Sequence, residues 1–167
     1  MNVKRPPSLV KGDKIGIAAP ARKVSERELE AAFEIITQQG FEFYHEPVLF
    51  SADRQFAGDD ETRAACFQHL LDREDVKAII SARGGYGSVR IIDKLDFSGF
   101  EYNPKWIIGY SDITVFHSHV NKNHSVQTLH GSMLLNFPQN SQPALSGLFD
   151  ILQGGLPEYT LANHPLN

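Results

Sequence analysis

Ser111 lies in Trp106-Ile107-Ile108-Gly109-Tyr110-Ser111-Asp112-Ile113-Thr114, where a short apolar run stops at a glycine and a helical pattern begins. That order reads as a buried strand, a sharp turn carrying the serine, and a helix over Asp112 to Lys122. A hydroxyl in such a turn stands beside the backbone N–H groups that a helix start leaves unpaired. The Asp112 amide can therefore donate to the oxyanion formed when Ser111 attacks an acyl carbon. The arrangement follows the logic of a nucleophile elbow, although Ile113 stands where Gly-x-Ser-x-Gly has its second glycine. The same residues also permit the bland reading, in which Ser111 is a helix N-cap. A second stretch, Gly84-Gly85-Tyr86-Gly87, follows another predicted strand. Its amides could cradle a phosphate, complete an oxyanion hole, or only make a tight turn. Gly-x-Gly-x-x-Gly fails at Arg90, and no P-loop pattern is present.

A serine nucleophile needs a base, and seven histidines are available. The spacing of His117, His119 and His124 places the first and third on one helix face and His119 off it. No further Cys or His completes a metal set around them, so they read as solvated or helix-end residues, and no metal is expected. His130, at a strand end before Gly131, is better placed, and bracing neighbouring loops ranks above a general-base role for it. Asp112 adjoins the serine, yet its carboxylate is expected on the N-terminal amides of its own helix. No acidic residue completes a local triad.

The elements that must position these groups alternate. Lys14 to Ala19 reads as a strand closed by Pro20. Ser25 and Glu28 have capping-box spacing before an apolar face of Leu29, Ala32, Phe33 and Ile36, and Gly40 supplies the stop. Phe41 to His45 is a second strand and Val48 to Gly58 a loop. Asp59 or Asp60 opens a helix with Ala64, Phe67 and Leu71 on one face, and Val76 to Ser81 is the third strand. A short helix over Val89 to Leu95, the Ser111 strand, a fifth strand at Val126 to Leu129 and a helix at Ser141 to Leu152 complete the order. This pattern predicts an α/β fold, a Rossmann-like or flavodoxin-like parallel sheet with helices on both faces. Its chemistry should lie beyond the strands' carboxyl ends, so Pro20, the Gly84 to Gly87 loop, Ser111 and His130 should share one edge.

Of the 167 residues 41% are hydrophobic and 22% charged, enough for one domain with a sizeable core. A formal charge of -4 without a basic stripe argues against nucleic acid or an anionic membrane as partner and for a small molecule. No apolar leader or membrane span is evident, so a cytoplasmic location is expected. Cys66, the single cysteine, falls within a helical pattern and reads as a buried inert thiol. Residues 1–155 form the expected domain. Residues 156–167, with two prolines and no amphipathic period, read as a linker towards a domain absent from this chain.

The motifs Lys11-Gly12-Asp13-Lys14-Ile15-Gly16-Ile17-Ala18-Ala19-Pro20, Ala82 to Gly87, Ile108 to Thr114 and Leu129-His130-Gly131 resemble, in the same order, those of the LD-carboxypeptidases. These serine peptidases include muramoyl-tetrapeptide carboxypeptidases of murein recycling and microcin C immunity peptidases. The resemblance covers the N-terminal half of that architecture. It implies Ser111 as nucleophile, the amides of Gly85 and Asp112 as oxyanion hole, and Gly84, Tyr86 and Gly87 as the border of the substrate pocket, with His130 at the same edge. It implies no cofactor. It also implies a general-base histidine and an orienting glutamate in a C-terminal domain, which would dock near Ser111 on a seam marked by Tyr86, Tyr110 and Phe116. A homodimer is the other way to cover that seam. The implied substrate is a murein tetrapeptide, cleaved before its terminal D-amino acid, or a peptidyl nucleotide. The contrasting reading is a non-catalytic domain whose glycine loop binds an anion or another small molecule.

Overall fold

A computed structural model describes residues 3–158. Five strands, β1 (Lys14–Ala18), β2 (Glu42–Tyr44), β3 (Val76–Ser81), β4 (Trp106–Gly109) and β5 (Leu129–His130), form one parallel sheet in the order β2-β1-β3-β4-β5. Both faces are covered, which is why the central strands are near-continuous apolar runs rather than alternating ones. On one side Ile17, Ile80 and Ile108 pack with α1 (Glu26–Gln38) and α5 (Gln142–Leu152) through Leu29, Ile36 and Phe149. On the other, Ile79 and Ile107 meet Phe67 of α2 (Asp60–Asp72) and Phe116 of α4 (Thr114–His124). The strand order reverses between β1 and β3, and an open α/β sheet forms its ligand crevice at that reversal, beyond the carboxyl ends.

Local chemistry sets most boundaries where the sequence puts them. The Ser25 amide donates to Glu28 Oε2 at 2.8 Å, the Thr62 amide to Asp59 Oδ1 at 2.8 Å, and Gly40 takes φ 84° at the stop of α1. Lys105, fully buried, donates to the Leu70 and Leu71 carbonyls at 2.9 and 2.7 Å and to Arg73 O, satisfying the open end of α2. Burial pushes the Cys66 thiol up to about 12, so it stays protonated and inert as expected.

Five elements differ from expectation. The fifth strand is Leu129–His130 rather than Val126 to Leu129. After α4 the chain turns through Ser125 at φ 52°, and Val126 first bridges Lys4 of the N-terminal segment. The helix after the glycine loop splits into α3 (Ser88–Ile91) and a 3-10 turn, Ile92–Lys94, and the loop after β2 holds a 3-10 turn at Pro47–Phe50. The 3-10 helix Leu134–Gln139, packed on α1, is masked in the sequence by Pro138. The helix after Ser111 begins as a 3-10 turn, Ser111–Ile113, and runs on to His124. Of the expected linker, residues 159–167 lie outside the described residues. No described helix is long and apolar enough to cross a membrane, and no group of three metal-ligating side chains occurs among the described residues.

Candidate active site

Ser111 is exposed at the end of β4 with φ 61°, in the left-handed region that non-glycine residues seldom occupy. Holding it there costs on the order of 1–3 kcal/mol, which the surroundings must offset. They do so from three sides. Gly109 O accepts from the Gly131 amide at 3.1 Å and from His117 Nε2 at 2.9 Å, and the Ile113 amide donates to Tyr110 O at 3.2 Å. That last bond is the first of the 3-10 turn, so the Asp112 amide precedes the helical ladder. The Asp112 carboxylate does not turn back onto its own helix as expected; Oδ2 accepts from the Ser88 amide at 2.9 Å and ties the elbow to the end of the glycine loop. A relaxed N-cap does not describe this serine.

The missing second glycine has a steric explanation. A Cβ on Gly109 would lie 2.8 Å from both Ile113 Cγ1 and Cγ2, so the fully buried Ile113 fills the space that Gly109 leaves. Gly109→Ala should therefore cost about 1–3 kcal/mol by overpacking. Urea unfolding of Gly109→Ala, Ile113→Ala and the double variant should show the double to be more stable than the two single costs predict. Simple additivity would mean that this contact does not set the turn.

Ser111 opens on a cavity of about 250 Å³ shared with Gly84, Gly85, Arg22 and Arg83. Tyr110, Met133, Leu135 and Asn136 form the rest of its wall, with the Tyr110 hydroxyl donating to Asn136 Oδ1 at 3.1 Å. A Cβ built on Gly84 would come to 3.6 Å from Ser111 Cβ, so the loop backbone passes against the serine. Gly85 has φ 123°, and its amide donates to no other backbone group among the described residues.

Other expected site residues lie elsewhere. Tyr86, 54% exposed, faces Phe56 with ring centroids 6.5 Å apart and is off the cavity wall. Gly87, at φ 149°, has no room for a side chain against Ala21 Cα, and its carbonyl accepts from Arg63 Nη1 at 3.1 Å, so it anchors the loop instead of bordering the cavity. His130 is exposed at the end of β5, its ring 6.2 Å from Tyr110 and 6.0 Å from His117, and lines a separate hollow against α5. Phe116 is buried and stacked on Phe67 at 4.3 Å, and Tyr110 is half-buried, so the expected exposed seam reduces to Tyr86.

One histidine of α4 also departs from expectation. His117 is buried, not solvated, and donates Nε2–H to Gly109 O; burial lowers its pKa, the bond opposes this and His130 adds to the lowering. His124, in contrast, is a helix-end residue as expected. The helix ends at His124, which lies 5.6 Å from the His119 ring, with Nδ1 2.8 Å from Glu101 Oε1. Arg22, Arg83 and Asn136 carry no sequence signal for the cavity they line. The two arginines do lie in the loops after β1 and β3, a placement from which the strand order could have flagged them.

The family profile of the LD-carboxypeptidase N-terminal domain matches residues 15–131. A Bacillus subtilis protein named "Probable murein peptide carboxypeptidase" is 35% identical over 130 residues, covering 78% of this chain and 41% of that protein. The murein tetrapeptide carboxypeptidase of Pseudomonas aeruginosa is 26% identical over 146 residues, 83% of this chain and 47% of its own length. Among solved structures, the microcin C7 self-immunity protein MccF, known from Escherichia coli, matches in its wild-type apo state with a TM-score of 0.84 at 25% identity, over 96% of this chain and 50% of that one. This chain spans about half the length of the relatives it matches.

Proposed function

The chain belongs to the LD-carboxypeptidase family, whose N-terminal domain it carries, and we propose that it supplies the nucleophile of a serine peptidase that removes the terminal D-amino acid from an L,D-peptide. The observation that carries this reading is Ser111 at φ 61°, exposed at a strand end on a cavity walled by Gly84 and Gly85. A serine kept in that conformation presents Oγ outward, as nucleophilic attack requires. Oγ adds to the scissile carbonyl, and the amides of Gly85 and Asp112 receive the oxyanion. Collapse breaks the C–N bond, the D-amino acid leaves as its amine takes a proton, and water then releases the acyl group from Ser111. The proton acceptor is a histidine oriented by a glutamate in the part of the enzyme that follows a linker at 156–167, docked beside Ser111.

A murein tetrapeptide is the substrate we favour, in keeping with the names of the Bacillus and Pseudomonas relatives, and the cytoplasm is the matching site of action. An MccF structure holds aspartyl sulfamoyl adenosine, which makes a peptidyl nucleotide the competing substrate. The test uses the protein expressed from its own gene at its natural length. It should release D-alanine from an L,D-tetrapeptide and lose that activity in Ser111→Ala. Release that persists in Ser111→Ala, or none from any L,D-linked substrate, would leave the anion-binding reading in its place.

A further inference from the structure

We propose that Arg22 and Arg83 form a subsite for the carboxylate that ends the leaving amino acid, so that the Ser111 cavity admits a peptide's last residue and not an internal bond; this rests on the serine-peptidase reading above. Arg22 comes from the loop after β1 and Arg83 from the loop after β3. They flank the point where strand order reverses, and both line the cavity that holds Ser111, which has no acidic residue in its wall. The nearest carboxylate partner of Arg83 is Glu28 at 3.9 Å, and Arg22 makes no salt bridge among the described residues. Two guanidiniums in one crevice, with a single carboxylate 3.9 Å from Arg83 and none bridged to Arg22, leave a positive field that attracts an anion.

Position selects which anion. The stem of Arg22 lies across Gly85 so closely that a Cβ there would meet Cγ and Cδ at 2.5 Å. The guanidinium therefore springs from beside the amide that would hold the oxyanion. In a peptide attacked at its last bond, the terminal carboxylate lies only one residue beyond the scissile carbonyl, about 3.8 Å in Cα spacing. A planar fork anchored over Gly85 can cover that distance and grip both oxygens. A chain continuing past that residue would present a neutral amide and offer the two guanidiniums no charge to pair with.

The experiment is a ¹⁵N NMR titration of this chain with N-acetyl-D-alanine and with N-acetyl-D-alaninamide. The acid should shift the Gly84 and Gly85 amides and the Nε signals of both arginines, and the amide should bind about tenfold more weakly, the factor expected when a charge-assisted hydrogen bond is lost. Arg22→Gln and Arg83→Gln should each move the acid towards the affinity of the amide, with Arg22→Lys recovering part of the loss. Equal binding of acid and amide, no acid-specific shift, or undiminished affinity in both Gln variants with an otherwise native spectrum would overturn the proposal. Arginine-dependent binding of the acid, combined with no Ser111-dependent release by the natural-length protein, would retire the peptidase reading and leave the carboxylate subsite standing.

Discussion

A polypeptide of these 167 residues should fold cooperatively yet release D-alanine from an L,D-tetrapeptide no faster than its Ser111→Ala variant. Folding follows from two apolar cores that close on either face of the sheet without further residues. Inactivity follows from proton transfer. A neutral serine is a weak nucleophile, and the wall of the cavity it shares with Gly84 and Gly85 contains no histidine or carboxylate. The second hollow that Ser111 borders does hold Asp112 and His119, but the Asp112 carboxylate is taken by the Ser88 amide and the His119 ring lies against Phe97 and His124. His117 is buried with Nε2–H committed to Gly109 O, and His130 opens on another hollow. In subtilisin, an unrelated serine peptidase, removing the serine or histidine alone costs on the order of 10⁶ in kcat, and what survives is roughly 10³ to 10⁴ over water. Activity of that size disappears into the background of a D-amino-acid assay. Ser111-dependent turnover in the usual enzyme range of about 1 to 10³ s⁻¹ would place a base within this chain, and His119, which shares a hollow with Ser111, and His130 would be the first residues to replace.

The sheet is legible in the sequence because parallel strands buried on both faces leave apolar runs that few other elements imitate: Val76–Ser81 is a strand in both. The same holds for Ser111, whose place between Gly109 and a helical pattern is a local signal. What sequence does not carry is contact between distant segments. Phe116 reads as a candidate surface aromatic until Phe67 stacks on it, and His117 reads as solvated until the carbonyl of Gly109 is brought to its ring. Val126 reads as part of a strand because its partner, Lys4, is more than a hundred residues away. The cavity is half legible for the same reason. Gly84 and Gly85 announce themselves by composition, whereas Arg22 gains meaning only when the order β2-β1-β3 sets its loop beside theirs.

That convergence of loops depends on one buried cation. Arg63 is 2% exposed and donates to Pro20 O at 2.5 Å, Gly87 O at 3.1 Å and Gly58 O at 3.3 Å, while pairing with Asp60. These carbonyls belong to the loop after β1, the glycine loop and the entry to α2, so a single guanidinium fixes three segments with its rigid fork. Phe56 stacks on it, the guanidinium carbon 4.9 Å from the ring centroid. Arg63→Met keeps the bulk but strands three carbonyls, and should cost about 3–5 kcal/mol, the range for breaking a buried charged network. By the scaling for domains of this length, that lowers Tm by roughly 6–20 °C. Arg63→Lys should recover little, because a single ammonium cannot span three acceptors held by a fork. The loss should extend to the site, since Gly87 anchors the stretch of backbone that carries Gly85 towards Ser111. In a folded Arg63→Met chain at low temperature, the Gly84 and Gly85 amides should exchange with solvent faster than in the parent while β3 remains protected. Unfolding within about 1 kcal/mol of the parent, with unchanged exchange in the glycine loop, would mean that the three loops keep their places without the guanidinium.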